Sequence, residues 1–141
     1  MRRPSNDEYY LKLLKGVASR STCGRRKVAA ILVDENHRVL AMGFNGVPKG
    51  FPHCIDHPCD GVNDPSGDTS RCLAVHAEIN ALLTCADLSR AHTLYCSCSP
   101  CKSCSLAIAQ TNIVKVLCLE RYADNSMSIL DTAGISLRQV S

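Results

Sequence analysis

The chain has 141 residues, of which 45% are hydrophobic and 21% charged, as in one globular domain that can close its own apolar core. No run approaches the roughly 18 apolar residues that a membrane span requires. The basic first residues lack the apolar segment of a secretory signal, so we expect a cytoplasmic protein, in the host cytoplasm if it is viral. The net charge of +3 is too small for binding nucleic acid by bulk electrostatics. We expect a single domain over residues 1–141, with no nucleic-acid or membrane partner.

Apolar periodicity and turn residues predict elements in the order α-β-β-α-β-α-β-α-β. The expected ranges are helix 7–20 with Ser5 as its N-cap, strands 28–33 and 38–44, helix 73–86, strand 93–96, a helix capped by Ser99, strand 113–119, a helix from its cap Asp124 to residue 133, and strand 135–138. The first two strands form an antiparallel hairpin, whereas the later strand-helix-strand units require right-handed crossovers and parallel pairing. The sequence therefore predicts a three-layer α/β/α fold with a mixed five-stranded sheet.

A long loop is predicted over residues 45–70, where repeated glycine and proline leave no room for a regular element. A loop of this length inside one domain is unusual unless it is functional or held by something else. It contains His53, Cys54, His57 and Cys59, so a metal ion is a natural candidate for holding it. Ten cysteines in a chain without an export signal favour metal ligands or buried thiols over disulfides.

Two short motifs lie in the predicted helices on either side of the third strand. The first is His-Ala-Glu at residues 76–78, and the second is Pro-Cys-Lys-Ser-Cys at residues 100–104. One imidazole and two thiolates make a three-ligand set, and a catalytic zinc has three protein ligands with a fourth position left for water. The sequence therefore predicts a catalytic zinc on His76, Cys101 and Cys104.

Geometry constrains this zinc site. Cys101 and Cys104 are three residues apart in a first helical turn, so both sulfur atoms lie on one face, where the helix dipole favours thiolates. His76 and Glu78 can face one site only if they lie at the start of their helix. The two helices would then meet amino terminus to amino terminus, at the carboxyl ends of neighbouring strands.

The two motifs resemble the signature of zinc deaminases, and this resemblance implies hydrolytic deamination. Zinc would lower the pKa of a bound water from about 15.7 towards 7, and Glu78 would carry protons from the water to ring N3 of a cytosine and to the leaving amine. Alone, Cys-x-x-Cys is often a structural zinc half-site or a redox pair, and a lone histidine at a helix start is usually a surface or core residue. The two motifs together are far more specific and form the signature of zinc deaminases.

With these motifs the sequence resembles the cytidine and deoxycytidylate deaminase superfamily, and more closely the deoxycytidylate (dCMP) deaminases. The resemblance runs from residue 21 to residue 135 and includes Gly-Phe-Asn-Gly at 43–46, His-Cys-Ile-Asp at 53–56 and Cys72. Nucleoside deaminases generally have cysteine in place of His76, so the histidine favours the nucleotide branch or the tRNA adenosine branch. The resemblance implies conversion of dCMP to dUMP and ammonia, with Glu78 as the catalytic residue.

The resemblance also implies substrate contacts. Asn45 would hydrogen-bond the sugar 3′-hydroxyl, the Ala77 amide would contact the base, and Tyr122 would cover the base. On sequence alone, Asn45 is more simply a turn residue between two glycines. Three basic residues are candidates for the 5′-phosphate: Arg26, Lys27 and Arg121.

Members of this branch form homohexamers that dCTP with magnesium activates and dTTP inhibits. Their effector region has the pattern Gly-Tyr-Asn-Gly-x-Pro, and residues 43–48 match it except that Phe44 replaces tyrosine, which keeps the ring and removes its hydroxyl. The resemblance therefore implies a homohexamer with an allosteric site at four residues: Gly43, Phe44, Asn45 and Gly46.

Phage-type and bacterial relatives also bind a structural zinc near the active site. The candidate ligands here are Cys23, Cys54, Cys59 and Cys72, and His53 or His57 could replace Cys59. Such a site would tie the long loop to the loop before the first strand and to the catalytic helix; the alternative is free thiols in a flexible loop. The remaining cysteines are expected to be small buried hydrophobic residues: Cys85, Cys96, Cys98 and Cys118.

Two other functions compete with dCMP deamination. A tRNA adenosine deaminase would be expected to have a more basic surface for its RNA than the mild charge of this chain provides. A non-catalytic zinc module used for binding would not depend on Glu78, because a structural site has no use for an unliganded carboxylate.

Overall fold

A computed structural model describes residues 2–58, 62, 72–122 and 126–140. In these ranges the elements, in chain order, are α1 Asn6–Ala18, β1 Ala29–Val33, β2 Val39–Phe44, α2 Ala77–Thr84, a 3-10 helix Leu88–Arg90, β3 Thr93–Cys98, α3 Lys102–Ala109, β4 Lys115–Glu120, α4 Ser126–Thr132 and β5 Ser136–Gln139. The predicted order of helices and strands is confirmed. No helix within the described ranges has both the length and the apolar character needed to cross a membrane.

The five strands form one mixed sheet in the order β2-β1-β3-β4-β5. Strand β1 is antiparallel to both of its neighbours, with Ile31 opposite Met42 on β2 and opposite Tyr95 on β3. Strands β3, β4 and β5 are parallel. The hairpin and the parallel units are therefore paired as the sequence predicts.

Helices cover both faces of the sheet because alternate strand residues point to opposite sides. On β1, Ile31 and Val33 pack in a cluster with Tyr10, Leu11 and Leu14 of α1. The intervening residues of β1 pack in a second cluster that includes side chains of α2, α3 and α4: Ala30 and Leu32 with Ala77, Ala81, Ile108 and Leu130. Helices α2 and α3 thus lie on the same face, which lets their amino termini approach each other.

Local capping fixes several element ends. The Ser5 hydroxyl accepts a hydrogen bond from the Glu8 amide at 3.1 Å, so the predicted N-cap of α1 is confirmed, while the helix ends two residues earlier than expected. Gly134 adopts φ +79° just after α4, the left-handed conformation that ends many helices. Asp124, the predicted cap of α4, lies outside the described residues.

Helix α2 is shorter than the predicted range 73–86. It begins at Ala77 with His76 as N-cap, and it ends at Thr84. The segment before it is extended because Val75 pairs with Gly46 through two backbone hydrogen bonds of 2.7 and 3.2 Å. This pairing joins the segment before α2 to the start of the long loop, whose described part, 45–58, contains no helix or strand.

Helix α3 begins two residues later than predicted, with Cys101 rather than Ser99 as its N-cap. Ser99 instead bonds the end of β4 and the residues after it. Its amide donates to the Glu120 carbonyl at 2.8 Å, and its hydroxyl accepts from the Tyr122 amide at 2.8 Å. These bonds keep the chain extended past the end of β3, so the helix turns only at Cys101.

Candidate functional site

The candidate site lies at one end of the strands, beyond the carboxyl ends of β2, β3 and β4. Helices α2 and α3 both begin there, with His76 and Cys101 as their N-caps. This is the arrangement that the two motifs require, since the helices meet amino terminus to amino terminus. The candidate metal ligands, the carboxylate and the loops that follow the strands therefore share one region.

Three potential metal ligands converge in this region. The His76 Nδ1 atom is 3.3 Å from the Cys104 sulfur and 3.4 Å from the Cys101 sulfur. The three ligand atoms all lie within 4.8 Å of one another. Among the described residues, this is the one group of at least three His, Cys, Asp or Glu side chains that is close enough to share a metal ion. In tetrahedral coordination, zinc-bound nitrogen and sulfur atoms are about 3.6 Å apart, so the donor set fits zinc in both chemistry and spacing.

Hydrogen bonding divides the two thiols into different states. The thiol of Cys104 and the imidazole of His76 both hydrogen-bond Cys101 and lower its pKa to about 3. The same contact with Cys101, together with burial, raises the pKa of Cys104. The pKa of His76 is raised by its bond to Cys101. The lowered pKa of Cys101 favours its thiolate, the form that binds metals.

Glu78 is a buried carboxyl group beside the three ligands, with 4% of its surface exposed. Burial raises the pKa of Glu78, while its contact with Cys104 opposes that change. A buried carboxyl with a raised pKa that lines a cavity is suited to accept and return a proton. Its position in the first turn of α2 turns it towards the same region as His76.

A cavity of about 620 Å³ opens over the cluster. This volume lies in the range of cavities that hold small-molecule ligands. Beyond the cluster and Glu78, its wall includes Arg25, Arg26, Asn45, Ala77, Ser99 and Tyr122. The cavity thus has room for a small molecule next to the three candidate metal-binding residues, with two guanidinium groups at its wall.

Asn45 joins the loop before β1 to the end of β2. Its Nδ2 donates to the Arg26 carbonyl at 2.7 Å, and its Oδ1 accepts from the Val28 amide at 2.8 Å and from the Ser21 hydroxyl at 2.6 Å. The side chain is buried and also lines the cavity. Asn45 is therefore more than a turn residue, because it fixes the cavity wall that carries Arg26.

Arg26 and Tyr122 form a second part of the wall. The guanidinium carbon of Arg26 lies 4.8 Å from the ring centre of Tyr122, and Nη1 donates to the tyrosine hydroxyl at 2.6 Å. Nη2 donates to the Cys98 sulfur and to Glu120, each at 2.9 Å. Burial, followed by the nearby Cys98, raises the pKa of Tyr122 to about 12. The arginine is held in place by partners from β3, from β4 and from the residues just after β4.

Some residues at the cavity differ from those expected. Lys27 and Arg121 are exposed and are not among the described residues that line it, whereas Arg25 does line it. Cys98 is buried as expected, but its sulfur also lines the cavity and contacts Arg26. A signal for Arg25 was its place in the basic stretch beside Arg26; the sequence carries no signal that distinguishes Cys98.

The predicted effector segment, residues 43–46, spans the end of β2 and the start of the long loop. Gly46 pairs with Val75, and the next residue is the candidate ligand His76. The segment is therefore directly bonded to the stretch of chain that leads into the candidate metal cluster.

The predicted structural zinc ligands are only partly described. Cys23 and Cys54 are buried, Cys72 is half-buried, and Cys23 and Cys72 line the cavity. Cys59 lies outside the described residues, and His53 and His57 are exposed. Within the described ranges, Cys23, Cys54 and Cys72 are not a group whose ligand atoms all lie within 4.8 Å of one another. The other predicted buried thiols are Cys96 and Cys118, which are buried, and Cys85, which is half-buried.

The chain is similar in sequence to known deoxycytidylate deaminases. The deoxycytidylate deaminase of Saccharomyces cerevisiae is 41% identical over 144 residues, which cover 99% of this chain and 46% of the yeast protein. The deoxycytidylate deaminase of Mycobacterium phage D29 is 44% identical over 125 residues, which cover 83% of this chain and 96% of the phage protein. This chain spans less than half the length of its relatives in Saccharomyces cerevisiae and Schizosaccharomyces pombe, 46% and 44% respectively.

A solved structure has the same fold over its whole length. The crystal structure of dCMP deaminase from the cyanophage S-TIM5, in complex with dCMP and dUMP, matches with a TM-score of 0.79 and 31% identity, covering 99% of this chain and 100% of the cyanophage chain. The family model for the cytidine and deoxycytidylate deaminase zinc-binding region matches residues 4–120. The motifs, the fold and these matches together establish that the chain belongs to the cytidine and deoxycytidylate deaminase family.

Proposed function

We propose that the chain is a zinc-dependent hydrolase that converts dCMP to dUMP and ammonia. The observation that carries the proposal is the convergence of His76, Cys101 and Cys104 beside the buried carboxyl of Glu78, at the wall of a cavity of about 620 Å³. The relatives in yeast and phage are deoxycytidylate deaminases, and the cyanophage enzyme has been crystallised with dCMP and dUMP. These relatives support dCMP as the substrate.

In this reaction Glu78 moves protons between water and the substrate. When bound, zinc would lower the pKa of a water molecule, so that a nucleophile is available at neutral pH. Glu78 accepts a proton from the attacking water and delivers it to ring N3. It then takes the remaining proton from the new hydroxyl on C4 and gives it to the departing amino group. A bond from C4 to oxygen forms, the bond from C4 to the amino nitrogen breaks, and dUMP and ammonia leave.

The proposed substrate contacts follow the cavity wall. The Ala77 amide, at the start of α2, has no acceptor within its own helix and is a donor for the base. We propose that Tyr122 covers the base, that Asn45 contacts the sugar 3′-hydroxyl, and that Arg26 binds the 5′-phosphate. Lys27 and Arg121 remain further candidates for the phosphate, with less support because neither lines the cavity.

A substrate panel tests the proposed reaction. The zinc-loaded protein is incubated separately with dCMP, deoxycytidine, dCTP or adenosine-containing RNA. The reaction with dCMP is also run with and without dCTP and dTTP as effectors. The proposal predicts loss of dCMP with formation of dUMP and ammonia. If dCMP is stable under every condition, the proposal fails, and deamination of the RNA alone would indicate a tRNA adenosine deaminase.

We also propose a second, structural zinc on Cys23, Cys54, Cys72 and Cys59, with His53 or His57 as alternatives to Cys59. Its support is the burial of Cys23 and Cys54 together with the resemblance to phage-type relatives. Zinc counting on the purified protein tests it. Two zinc ions per chain agree with the proposal, whereas one removes the structural site.

Regulation and assembly are proposed from the family resemblance. We propose a cytoplasmic homohexamer that dCTP with magnesium activates and dTTP inhibits, through Gly43, Phe44, Asn45 and Gly46. The bond between Gly46 and Val75 supports a link from this segment to His76. Light scattering gives the assembly state, and dCMP turnover that is insensitive to both nucleotides would exclude the regulation.

A further inference from the structure

Gly43 lies against the backbone of α2. A Cβ atom at this position would overlap the Ala77 carbonyl oxygen and come within 2.6 Å of the Ala81 nitrogen, closer than real Cβ atoms approach. Both are backbone atoms of one helix, so neither can move away as a flexible side chain would. Residue 43 must lack a side chain if α2 is to keep its present distance from β2.

Asn80 adds a hydrogen bond to the contact between α2 and β2. Its Nδ2 reaches back from α2 and donates to the Phe44 carbonyl at 2.9 Å, with a longer contact of 3.4 Å to the Val75 carbonyl. Phe44 is the last residue of β2, and Val75 is in the stretch that leads into α2. Asn80 therefore ties the helix to both the strand below it and the segment before it.

This contact sets the position of the candidate catalytic groups. Ala77 lies between His76 and Glu78, so the distance between α2 and β2 fixes where the imidazole and the carboxyl lie. Cys101 and Cys104 belong to a different helix, whose start follows β3 and is bonded to the end of β4 through Ser99. Movement of α2 alone would therefore change the distances across the metal cluster.

We propose that Gly43 and Asn80 are positioning residues that seat α2 on β2 and so hold His76 and Glu78 in register with Cys101 and Cys104. Where it concerns turnover, the inference rests on the proposed deaminase function. Restoring an ordinary contact of about 3.5 Å to a new Cβ requires a shift of roughly 1 Å. A misplacement of about 1 Å can cost on the order of 10²-fold in rate.

Gly43→Ala is the direct test, with Gly16→Ala as its control, because a Cβ on Gly16 meets nothing within 4 Å. The visible spectrum of the cobalt-substituted protein reports the ligand geometry, zinc affinity is measured by chelator competition, and kcat and KM are measured with dCMP. We expect Gly43→Ala to shift the cobalt bands, to weaken metal affinity about 10- to 100-fold and to lower kcat more than it raises KM. Gly16→Ala should match the wild type in all three.

Asn80→Ala decides the matter if Gly43→Ala does not fold. Its control is Asn112→Ala, which removes a similar bond, from Nδ2 to the Ser89 carbonyl at 3.1 Å. Asn80→Ala should shift the cobalt bands in the same direction by a smaller amount, and Asn112→Ala should not. Folded Gly43→Ala or Asn80→Ala protein with a wild-type cobalt spectrum and metal affinity would overturn the inference. Because these two readouts need no substrate, a failure to deaminate dCMP would be a separate result.

Discussion

The imidazole nitrogen Nδ1 of His76 lies 3.3 Å from the sulfur of Cys104, although 28 residues separate them in the chain. The contact exists because α2 and α3 pack on the same face of the sheet and begin at the same edge. Residue Cys104 is fully buried, while His76 is partly open to the cavity. The candidate metal cluster therefore lies where the starts of the two helices meet.

Removing one ligand should remove one metal. We expect Cys104→Ala to lower the zinc content by one ion per chain. The variant should also lose the rise in melting temperature that zinc produces, because a metal ion that binds only the folded state stabilises that state. Cys118→Ala is the matched control, since this thiol is also fully buried but lies on β4 away from the cluster. The two variants are compared by metal analysis and by thermal unfolding with zinc or chelator. Equal zinc content and equal zinc-dependent stabilisation in both would contradict the assignment of Cys104.

Arg26 should discriminate the nucleotide from the nucleoside. Loss of a hydrogen bond to a charged group typically weakens binding by roughly tenfold or more, so Arg26→Gln should raise KM for dCMP by that factor. KM for deoxycytidine should change much less, because this substrate has no phosphate. Steady-state kinetics with both substrates measure the difference.

Lys27→Gln is the control for Arg26, because it removes a neighbouring positive charge that does not line the cavity. We expect KM values close to those of the wild type. A larger effect from Lys27 than from Arg26 would move the phosphate site to the other candidates.

Asp34 should make folding stability sensitive to acid. Its carboxylate accepts the Asn36 and Arg38 amides at 2.8 and 3.0 Å and pairs with Arg90 at 2.7 Å. The bond from Arg38, followed by the other contacts, holds the pKa of Asp34 below its usual range. Its stabilising effect is then complete above the unfolded-state pKa of about 3.9 and is lost as the pH falls through the lower folded-state value.

The substitution Asp34→Asn tests this. Urea unfolding at pH 7 should show a less stable variant, and the difference from the wild type should shrink as the pH falls below about 4. Asp131→Asn, which changes an exposed carboxylate on α4, should behave as the wild type at each pH. A stability difference that is constant down to about pH 2 would show that the charge of Asp34 is not responsible.

Sequence patterns predicted the order of elements, since apolar periodicity and turn residues such as Gly134 act locally. They misplaced the starts of α2 and α3 because distant partners set them. Val75 stays extended through its pairing with Gly46, and Ser99 is held by the end of β4. Neither contact can be predicted from the residues next to it in the sequence.

In the site, too, local features could be predicted from the sequence, whereas contacts between separate elements could not. The ligand types and their spacing along the chain are enough to indicate that His76 and Cys104 share one site. By contrast, the tight contact of Gly43 with α2 and the bond from Arg26 to Cys98 depend on how separate elements pack. Arg25 and Lys27 are basic residues on either side of Arg26 in the sequence, and only the structure shows that Arg25 lines the cavity and Lys27 does not.

In the proposed zinc-dependent deamination of dCMP, Glu78 carries protons between water and the substrate. The most direct measurement is the rate of ammonia and dUMP release from dCMP by the wild type and by Glu78→Gln, each with its zinc content and melting temperature determined. We expect equal amounts of ammonia and dUMP from the wild type, and a rate lower by a factor of about 10² to 10⁴ in a folded, zinc-loaded Glu78→Gln variant. A Glu78→Gln protein that deaminates dCMP at the wild-type rate would contradict it.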